Sequence, residues 1–448
     1  MTDAGHPTGG REMTVKQRPN LLLVFSDQES AHAHLTPPAG PSPLHTPHQD
    51  ALAACGAVFR QAYCVAPQCT PARAALLCGR YPHSLGVETN IGAAHAQALA
   101  PDTPTLGSRL QAAGYRTGYF GKWHLTGPAS GPADFGFAQV YSPGGQGGTD
   151  AGVAAAAAEW IGAQNERGPW AAVVSFVRPH DIYHAWRRPG PDRPGISAPD
   201  GDAGDLRDRA PAQRTYLEKD QGRPFVGAGP DDWRRYRNRY AEEIEQVDAC
   251  LGTVLAALKA DGLRERTLIA YTSDHGDLAG AHGLPFKGPC LYEPLVHVPL
   301  VLSWPGHFPQ GAHDALVSHL DVLPTLLAAA GAATAQEDAG YDLGPVCRGS
   351  AVSGRTALHF EYLSKQQWVN PIRGLRRGRW KLCHYLWWGY ELYDVEGDPA
   401  ERFNRAQDPA YAPILRRLVA ELSAWRKATG DAGRFEDPSV GAGGAPGT

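Results

Sequence analysis

Leu21 to Phe25 is an unbroken apolar run that ends in Ser26, Asp27 and Gln28. A strand covered on both faces reads this way, because alternate side chains then meet an apolar layer on either side. Ala171 to Val177 repeats the pattern and ends in Arg178, Pro179 and His180. Thr267 to Thr272 repeats it again and ends in Ser273, Asp274 and His275, and Leu300 to Leu302 is a fourth run. Helical periodicity lies between them. Tyr240, Ile244, Val247, Leu251, Val254 and Leu258 recur at spacings of three and four and share one stripe. Ala151 to Ala163 predicts a second, Ala-rich helix. Strands alternating with helices predict an α/β fold with a large, mostly parallel sheet between helices. Ligands of such sheets bind beyond the carboxyl ends of the strands. Three of the four runs deliver polar, titratable residues there.

The chain of 448 residues is longer than one hydrophobic core usually supports. Residues 1–18 form a polar, Gly-containing lead expected to be disordered, and residues 19–354 the large α/β domain. Within it, residues 186–230 are rich in Pro, Gly, Asp and Arg and read as a long surface excursion or lid. The texture changes near residue 355. Arg373 to Cys383 and Tyr390 to Tyr393 read as short antiparallel strands, and Pro413 to Lys427 as a closing helix. Residues 355–429 are therefore expected to form a small C-terminal α+β domain, and the Gly/Ala/Pro-rich residues 430–448 a disordered tail.

The formal net charge is -4, with no basic excess of the kind that nucleic-acid binding needs. The first apolar run is too short for a signal-peptide core or a membrane span. The expectation is a cytoplasmic enzyme without membrane or nucleic-acid partners. Its eight cysteines then stay reduced rather than forming a disulfide framework. His45 and His48 flank Pro47 and read as part of an exposed turn.

Chemistry concentrates in a few stretches. Cys69-Thr70-Pro71-Ala72-Arg73 is followed by Leu76-Leu77-Cys78-Gly79-Arg80. Gly114-Tyr115-Arg116-Thr117 leads to Gly121-Lys122-Trp123-His124. Ser273-Asp274-His275-Gly276-Asp277 is followed by Lys287, and Glu391-Leu392-Tyr393-Asp394 by Asp398-Pro399. With Asp27 at the end of the first run, these segments resemble, in order, the signatures of the type I, formylglycine-dependent sulfatases of the alkaline phosphatase superfamily. The pairs Asp27-Gln28 and Asp274-His275 depart from the Asp-Asp and Asp-Asn of many members. They resemble the branch that contains choline sulfatases and phosphonate monoester hydrolases.

The resemblance implies an alkaline-phosphatase-like fold and a specific chemistry. A sulfate monoester is an anion that repels nucleophiles, so its oxygens must be neutralised and a strong nucleophile supplied. In the family, a formylglycine-generating enzyme oxidises the motif cysteine, here Cys69, to formylglycine (3-oxoalanine). Its hydrate attacks sulfur with one hydroxyl, and the other loses a proton as free sulfate leaves. By the same resemblance, Asp27, Cys69, Asp274 and His275 hold one divalent metal, with Gln28 a further ligand or a support behind them. Carboxylate oxygens suit Ca2+, the expected ion, or Mg2+. The imidazole leaves Mn2+ and Zn2+ open. Arg73 is implied to hold the metal region in place, Lys122 and Lys287 to contact sulfate oxygens, and His124 to be the base. His180 and Lys287 are implied to assist the leaving alcohol, and Asn90 to contact sulfate.

Two other readings stand beside a sulfatase. One is a phosphonate or phosphate ester hydrolase on the same scaffold, which resembles this chain at Asp27-Gln28 and Asp274-His275 but not at Lys122 and His124. The other is a non-catalytic binding protein whose Cys69 stays a thiol. The substrate is expected to be a small-molecule or sugar sulfate ester, its alcohol half met by residues 186–230 and the C-terminal domain. The identity of that alcohol and the oligomeric state are open.

Overall fold

The computed structural model describes residues 18–34, 43–93, 96–143, 148–164, 168–188, 190, 193–199, 206–349, 355–365, 368–431 and 435. The expected disordered lead, up to residue 17, lies outside them. Twelve strands are described: β1 Asn20–Asp27, β2 Ala57–Tyr63, β3 Arg116–Gly121, β4 Gln139–Tyr141, β5 Trp170–Pro179, β6 Thr267–Ser273, β7 Leu300–Ser303, β8 Gly311–Ser318, β9 Leu358–Lys365, β10 Trp368–Arg377, β11 Trp380–Tyr385 and β12 Gly389–Asp394. The first eight form one sheet in the order β4-β3-β5-β1-β6-β7-β2-β8, and the last four a second sheet in the order β12-β11-β10-β9.

The central strand explains its own sequence. Every residue of β1 is buried. Leu21, Leu23 and Phe25 pack on one face with Ala74, Leu76 and Leu77 of helix Cys69–Cys78 and with Leu323, Leu326 and Leu327 of helix Val322–Ala330. Leu22 and Val24 pack on the other face with Val153, Ala157 and Ile161 of helix Asp150–Gly162 and with Val247, Leu251 and Val254 of helix Pro230–Ala260. Each fully buried aliphatic side chain contributes about 1.5–3 kcal/mol, so Leu21 to Phe25 stay apolar on both faces and polar residues are confined to the two ends of the strand.

β1 runs parallel to β5 and β6, and β3 runs parallel to β4 and β5. The carboxyl ends of β1, β3, β5 and β6 therefore lie on one edge. The fourth apolar run departs from the parallel expectation: β7 is antiparallel to both β6 and β2. An apolar run has no direction, and here the chain between β6 and β7 stays on the carboxyl edge with no crossover helix to reverse it.

Residues 186–230 are not simply an exposed excursion. They carry helix Pro211–Lys219, which buries Ala212, Gln213 and Tyr216. Phe225 packs with Trp233, Tyr236 and Phe286. Residues 189, 191–192 and 200–205 of this segment lie outside the described residues.

The C-terminal sheet is antiparallel throughout. Helix Ala412–Thr429 covers one face, where Leu418 and Leu422 meet Leu375, Leu382 and Leu392. Phe360, Ile372 and Tyr385 face the large domain and pack with Tyr63 and Val65. The expectation of a disordered tail from residue 430 is corrected at its start. Asp431 is fully buried and accepts from Arg373 Nη2 at 2.7 Å and Nε at 2.9 Å. Gly and Pro farther along hide this anchor in the composition, and the rest of the tail, apart from Phe435, lies outside the described residues. Asp431→Ala is expected to destabilise the fold by about 3 kcal/mol, because it strips a buried arginine of a bidentate partner. A fall in the urea midpoint at constant m-value checks this.

All eight cysteines are free thiols. Among the described residues, no helix is long and apolar enough to cross a membrane.

Candidate active site

Cys69 is the first residue of helix Cys69–Cys78, all of whose residues are buried. Asn90 Oδ1 accepts from Thr70 N at 2.9 Å, taking up an amide that the first helical turn leaves unpaired. Thr70 Oγ1 donates to His124 O at 2.8 Å and accepts from Ile91 N at 3.2 Å. Thr70 thus ties the helix start to the loop after β3. The left-handed Gly79 ends the helix.

At the carboxyl edge, Asp27 ends β1, and Asp274 and His275 follow β6. Their ligand atoms lie with Cys69 Sγ within 4.8 Å of one another, all on buried residues. Cys69 Sγ is 3.5 Å from Asp27 Oδ1 and 3.5 Å from His275 Nε2. Arg73, fully buried, donates through Nη2 to Asp27 Oδ2 at 2.9 Å and through Nε to Asp274 Oδ2 at 2.8 Å. It also donates to Lys122 O and Ser175 Oγ. One guanidinium thus grips the outer oxygens of both carboxylates, and their Oδ1 atoms turn toward the thiol and imidazole. His275 Nδ1 donates to Gly276 O at 2.9 Å, which leaves the Nε2 lone pair facing the site.

These residues fit a divalent ion. Two carboxylate oxygens and an imidazole nitrogen converge, and Gln28 Oε1 is buried with no hydrogen-bond partner among the described residues. Gln28 adopts φ 80, an uncommon conformation for a non-glycine residue. Its backbone N donates to Asp274 Oδ1 at 3.0 Å and its Nε2 to Asp277 Oδ2 at 2.6 Å. With its amide nitrogen engaged, Gln28 has only its carbonyl oxygen left to offer.

Lys287 Nζ donates to Cys69 Sγ and to His275 Nε2, each at 2.9 Å. Lys122 Nζ pairs with Asp27 Oδ2. Its place depends on Gly121 (φ 106), where a Cβ would sit 1.9 Å from Ser175 O. That approach lets Lys122 N donate to Ser175 O at 3.0 Å. Burial and Asp27 oppose ionisation of the Cys69 thiol, but Lys122, Lys287 and a hydrogen bond with His124 outweigh them and hold it well below the usual range. Burial also works against a charged Asp27, yet Lys122, His180, Arg73 and Lys287 keep its carboxyl well below its ordinary value. Asp274 moves the other way, raised by burial and by Asp27 despite His275 and Arg73.

His124 has φ 59 and a buried Nδ1 with no partner among the described residues. His180 follows β5. Burial pushes it down to about 3, with Lys122 and Lys287 adding to the effect against the pull of Asp27, so the ring is neutral at neutral pH. Its ring lies 4.9 Å from that of Tyr183. Ser175, Asp277, Tyr236 and Tyr240 were not singled out by sequence reasoning. Tyr236 OH donates to Asp277, and Tyr240 OH donates to Gln28 O at 2.6 Å. Asp277 stood inside a recognised motif. Tyr240 stood on the apolar stripe, where its hydroxyl gave no signal of its own.

Beside Lys287 a cavity of about 590 Å³ is lined by Tyr183, Trp186, Phe286, Arg187, Arg223 and Asp220 among others. Tyr183 and Phe286 stack with centroids 4.0 Å apart, and Lys287 Nζ lies 5.9 Å from the Tyr183 centroid.

The sulfatase family model matches residues 19–332, and the model of the C-terminal region of N-sulphoglucosamine sulphohydrolase matches residues 280–428. The chain is 30% identical over 467 residues to a choline-sulfatase of Rhizobium meliloti, covering 94% of this chain and 88% of that protein. It is 30% identical over 439 residues to a Δ4,5-hexuronate-2-O-sulfatase of Bacteroides thetaiotaomicron, covering 92% and 90%. The solved structure of a 2-O GAG sulfatase superposes with a TM-score of 0.80 at 27% identity, covering 94% of this chain and 96% of that one. The chain thus belongs to the sulfatase family and is a sulfuric ester hydrolase.

Proposed function

We propose that the chain hydrolyses the sulfate monoester of a sugar, with Cys69, converted to formylglycine by a formylglycine-generating enzyme, as the nucleophile, and with one divalent metal held by Asp27, Cys69, Asp274 and His275. The observation that carries this reading is the convergence on one buried thiol of three ligand groups and Lys287, with Lys122 paired to Asp27 beside them. When bound, the ion supplies positive charge beside the hydrated aldehyde and the sulfate oxygens. Ca2+ is the expected ion given two carboxylates; elemental analysis separates it from Mg2+ and Mn2+.

The chain's own residues supply the rest. Arg73 positions the two carboxylates and touches no substrate. Lys122 and Lys287 set compact positive charges against the sulfate oxygens, where negative charge must be held. His124, which favours the ionised form of residue 69, takes the proton that residue loses. Protonation of the leaving oxygen falls to Lys287 more than to His180, because a neutral imidazole is a poor donor. Asn90 keeps its side-chain NH2 for a sulfate oxygen while its carbonyl caps the helix. Gln28 braces the metal side through its carbonyl oxygen.

The alcohol half fits the cavity beside Lys287. Aromatic faces at Tyr183, Trp186 and Phe286 suit a sugar ring, and Arg187 and Arg223 suit a carboxylate or second sulfate on it. Similarity to a hexuronate-2-O-sulfatase supports the same class.

The test is peptide mass spectrometry across Cys69 after co-expression with a formylglycine-generating enzyme, followed by assays on sulfated disaccharides, aryl sulfates and phosphonate esters. A loss of about 18 Da, from thiol to aldehyde, with sulfate release is expected. An intact thiol in protein that still cleaves sulfate esters overturns the nucleophile. Faster turnover of phosphonates than of any sulfate overturns the substrate class.

A further inference from the structure

A second cluster of metal-ligating side chains lies outside the active site. His32, Glu293 and His297 each offer an atom within 4.8 Å of the others. His297 Nδ1 is 3.3 Å from His32 Nε2 and 3.9 Å from Glu293 Oε2. Ligands at zinc bond lengths of ~2.0–2.1 Å in a tetrahedron stand about 3.4 Å apart. The two separations from His297 Nδ1 bracket that spacing, and His32 and Glu293 lie within 4.8 Å of each other, so side-chain rotation without backbone movement would close the set around an ion.

The atoms behind the cluster are arranged as a metal site requires. His297 Nε2 lies 2.8 Å from Arg60 O. A carbonyl only accepts, so Nε2 carries the hydrogen and Nδ1 presents a lone pair toward His32. Tyr63 stacks on the His297 ring at 4.9 Å and donates its hydroxyl to Glu293 Oε2 at 2.8 Å. Lys381 and Arg376 hold Oε1 at 3.0 and 3.3 Å, and Glu401 beside Lys381 offsets part of that positive charge. Glu293 is thus held at both oxygens, and Oε2, with one hydrogen bond from Tyr63, can still accept a second contact on the side of His297.

We propose that His32, Glu293 and His297 form a second divalent-metal site, which takes Zn2+ with water in the fourth position. Two imidazoles and one carboxylate suit Zn2+, whereas the carboxylate-rich active site suits a harder ion. The site joins two stretches that the reaction depends on. Ala31 N donates to His297 O at 3.0 Å, so the chain just past Asp27 and Gln28 already meets the chain between Lys287 and β7. An ion bound here clamps the two together.

The experiment uses the full chain in buffer with saturating Ca2+, titrated with Zn2+ alone against a chromophoric chelator. Wild type and His32→Ala are compared, because His32 is exposed and its loss leaves the core packing in place. One Zn2+ equivalent is expected in wild type, weakened about a hundredfold or more in His32→Ala, with a zinc-dependent rise in Tm in wild type alone. Equal zinc affinity and equal Tm response in the two proteins, or no zinc binding by wild type, overturns the site. Both proteins are compared in the same Cys69→Ala background, which takes the competing thiolate out of the active site, and neither readout uses turnover, so the result does not bear on the sulfatase reading.

Discussion

Cys69→Ala is expected to lower kcat for sulfate release by about four to six orders of magnitude, the scale on which loss of a covalent nucleophile is felt. The fold should survive. Alanine is the best helix former, and the change removes one sulfur from the start of a helix that packing on both sides already holds. Lys287 and His275 keep their own contact at 2.9 Å when the thiol is gone. Circular dichroism and thermal unfolding should therefore match wild type while sulfate release, followed by ion chromatography, vanishes. Turnover within tenfold of wild type would remove Cys69 from the mechanism.

The second large effect is expected at Lys122. Lys122→Ala should slow cleavage by about a hundredfold or more, the usual loss when one preorganised charge is removed from a site where negative charge develops. Lys122 also pairs with Asp27, so the loss has two conceivable routes. Arg73 still holds Asp27 Oδ2 at 2.9 Å in the variant, which should keep the carboxylate in place and the metal content at the wild-type level. A fall in kcat/KM at unchanged metal stoichiometry assigns Lys122 to the sulfate. A parallel loss of metal assigns it to the upkeep of Asp27. Lys122→Arg should recover little, because a planar guanidinium does not fill the place of a compact ammonium.

The sheet was legible because β1, β5 and β6 are buried on both faces, and burial on both faces leaves an unbroken apolar run. The direction of β7 was not legible, since pattern carries no polarity. Nor was helix Pro211–Lys219, whose few buried residues are Ala212, Gln213 and Tyr216 in a mostly polar stretch. The candidate site was legible wherever chemistry demands a residue type in a motif, as at Cys69, Arg73, Lys122, Asp274 and Lys287. What escaped were residues that act through geometry alone. Ser175 takes part in holding Arg73, and Tyr240 fixes the backbone of Gln28. A serine in a strand and a tyrosine on a helix stripe look the same whether they do this or only fill space. Asp431 escaped for a third reason: one anchoring residue is lost in the average composition of the tail around it.

The burial of Cys69 has a consequence in time. Its side chain is 1% exposed, at the floor of a site closed by Lys287, His275 and Asp27. No second protein can reach that thiol once helix Cys69–Cys78 has docked under the sheet. Any enzyme that modifies it must act on the nascent chain before the downstream strand β6 arrives to complete the sheet. If Cys69 is converted as proposed, maturation and folding are two clocks running on the same molecule, and chains that fold first are expected to stay unactivated. The active fraction of a preparation should thus track the ratio of the two rates. Slower synthesis or a lower growth temperature shifts that ratio, whereas treatment of the finished protein cannot.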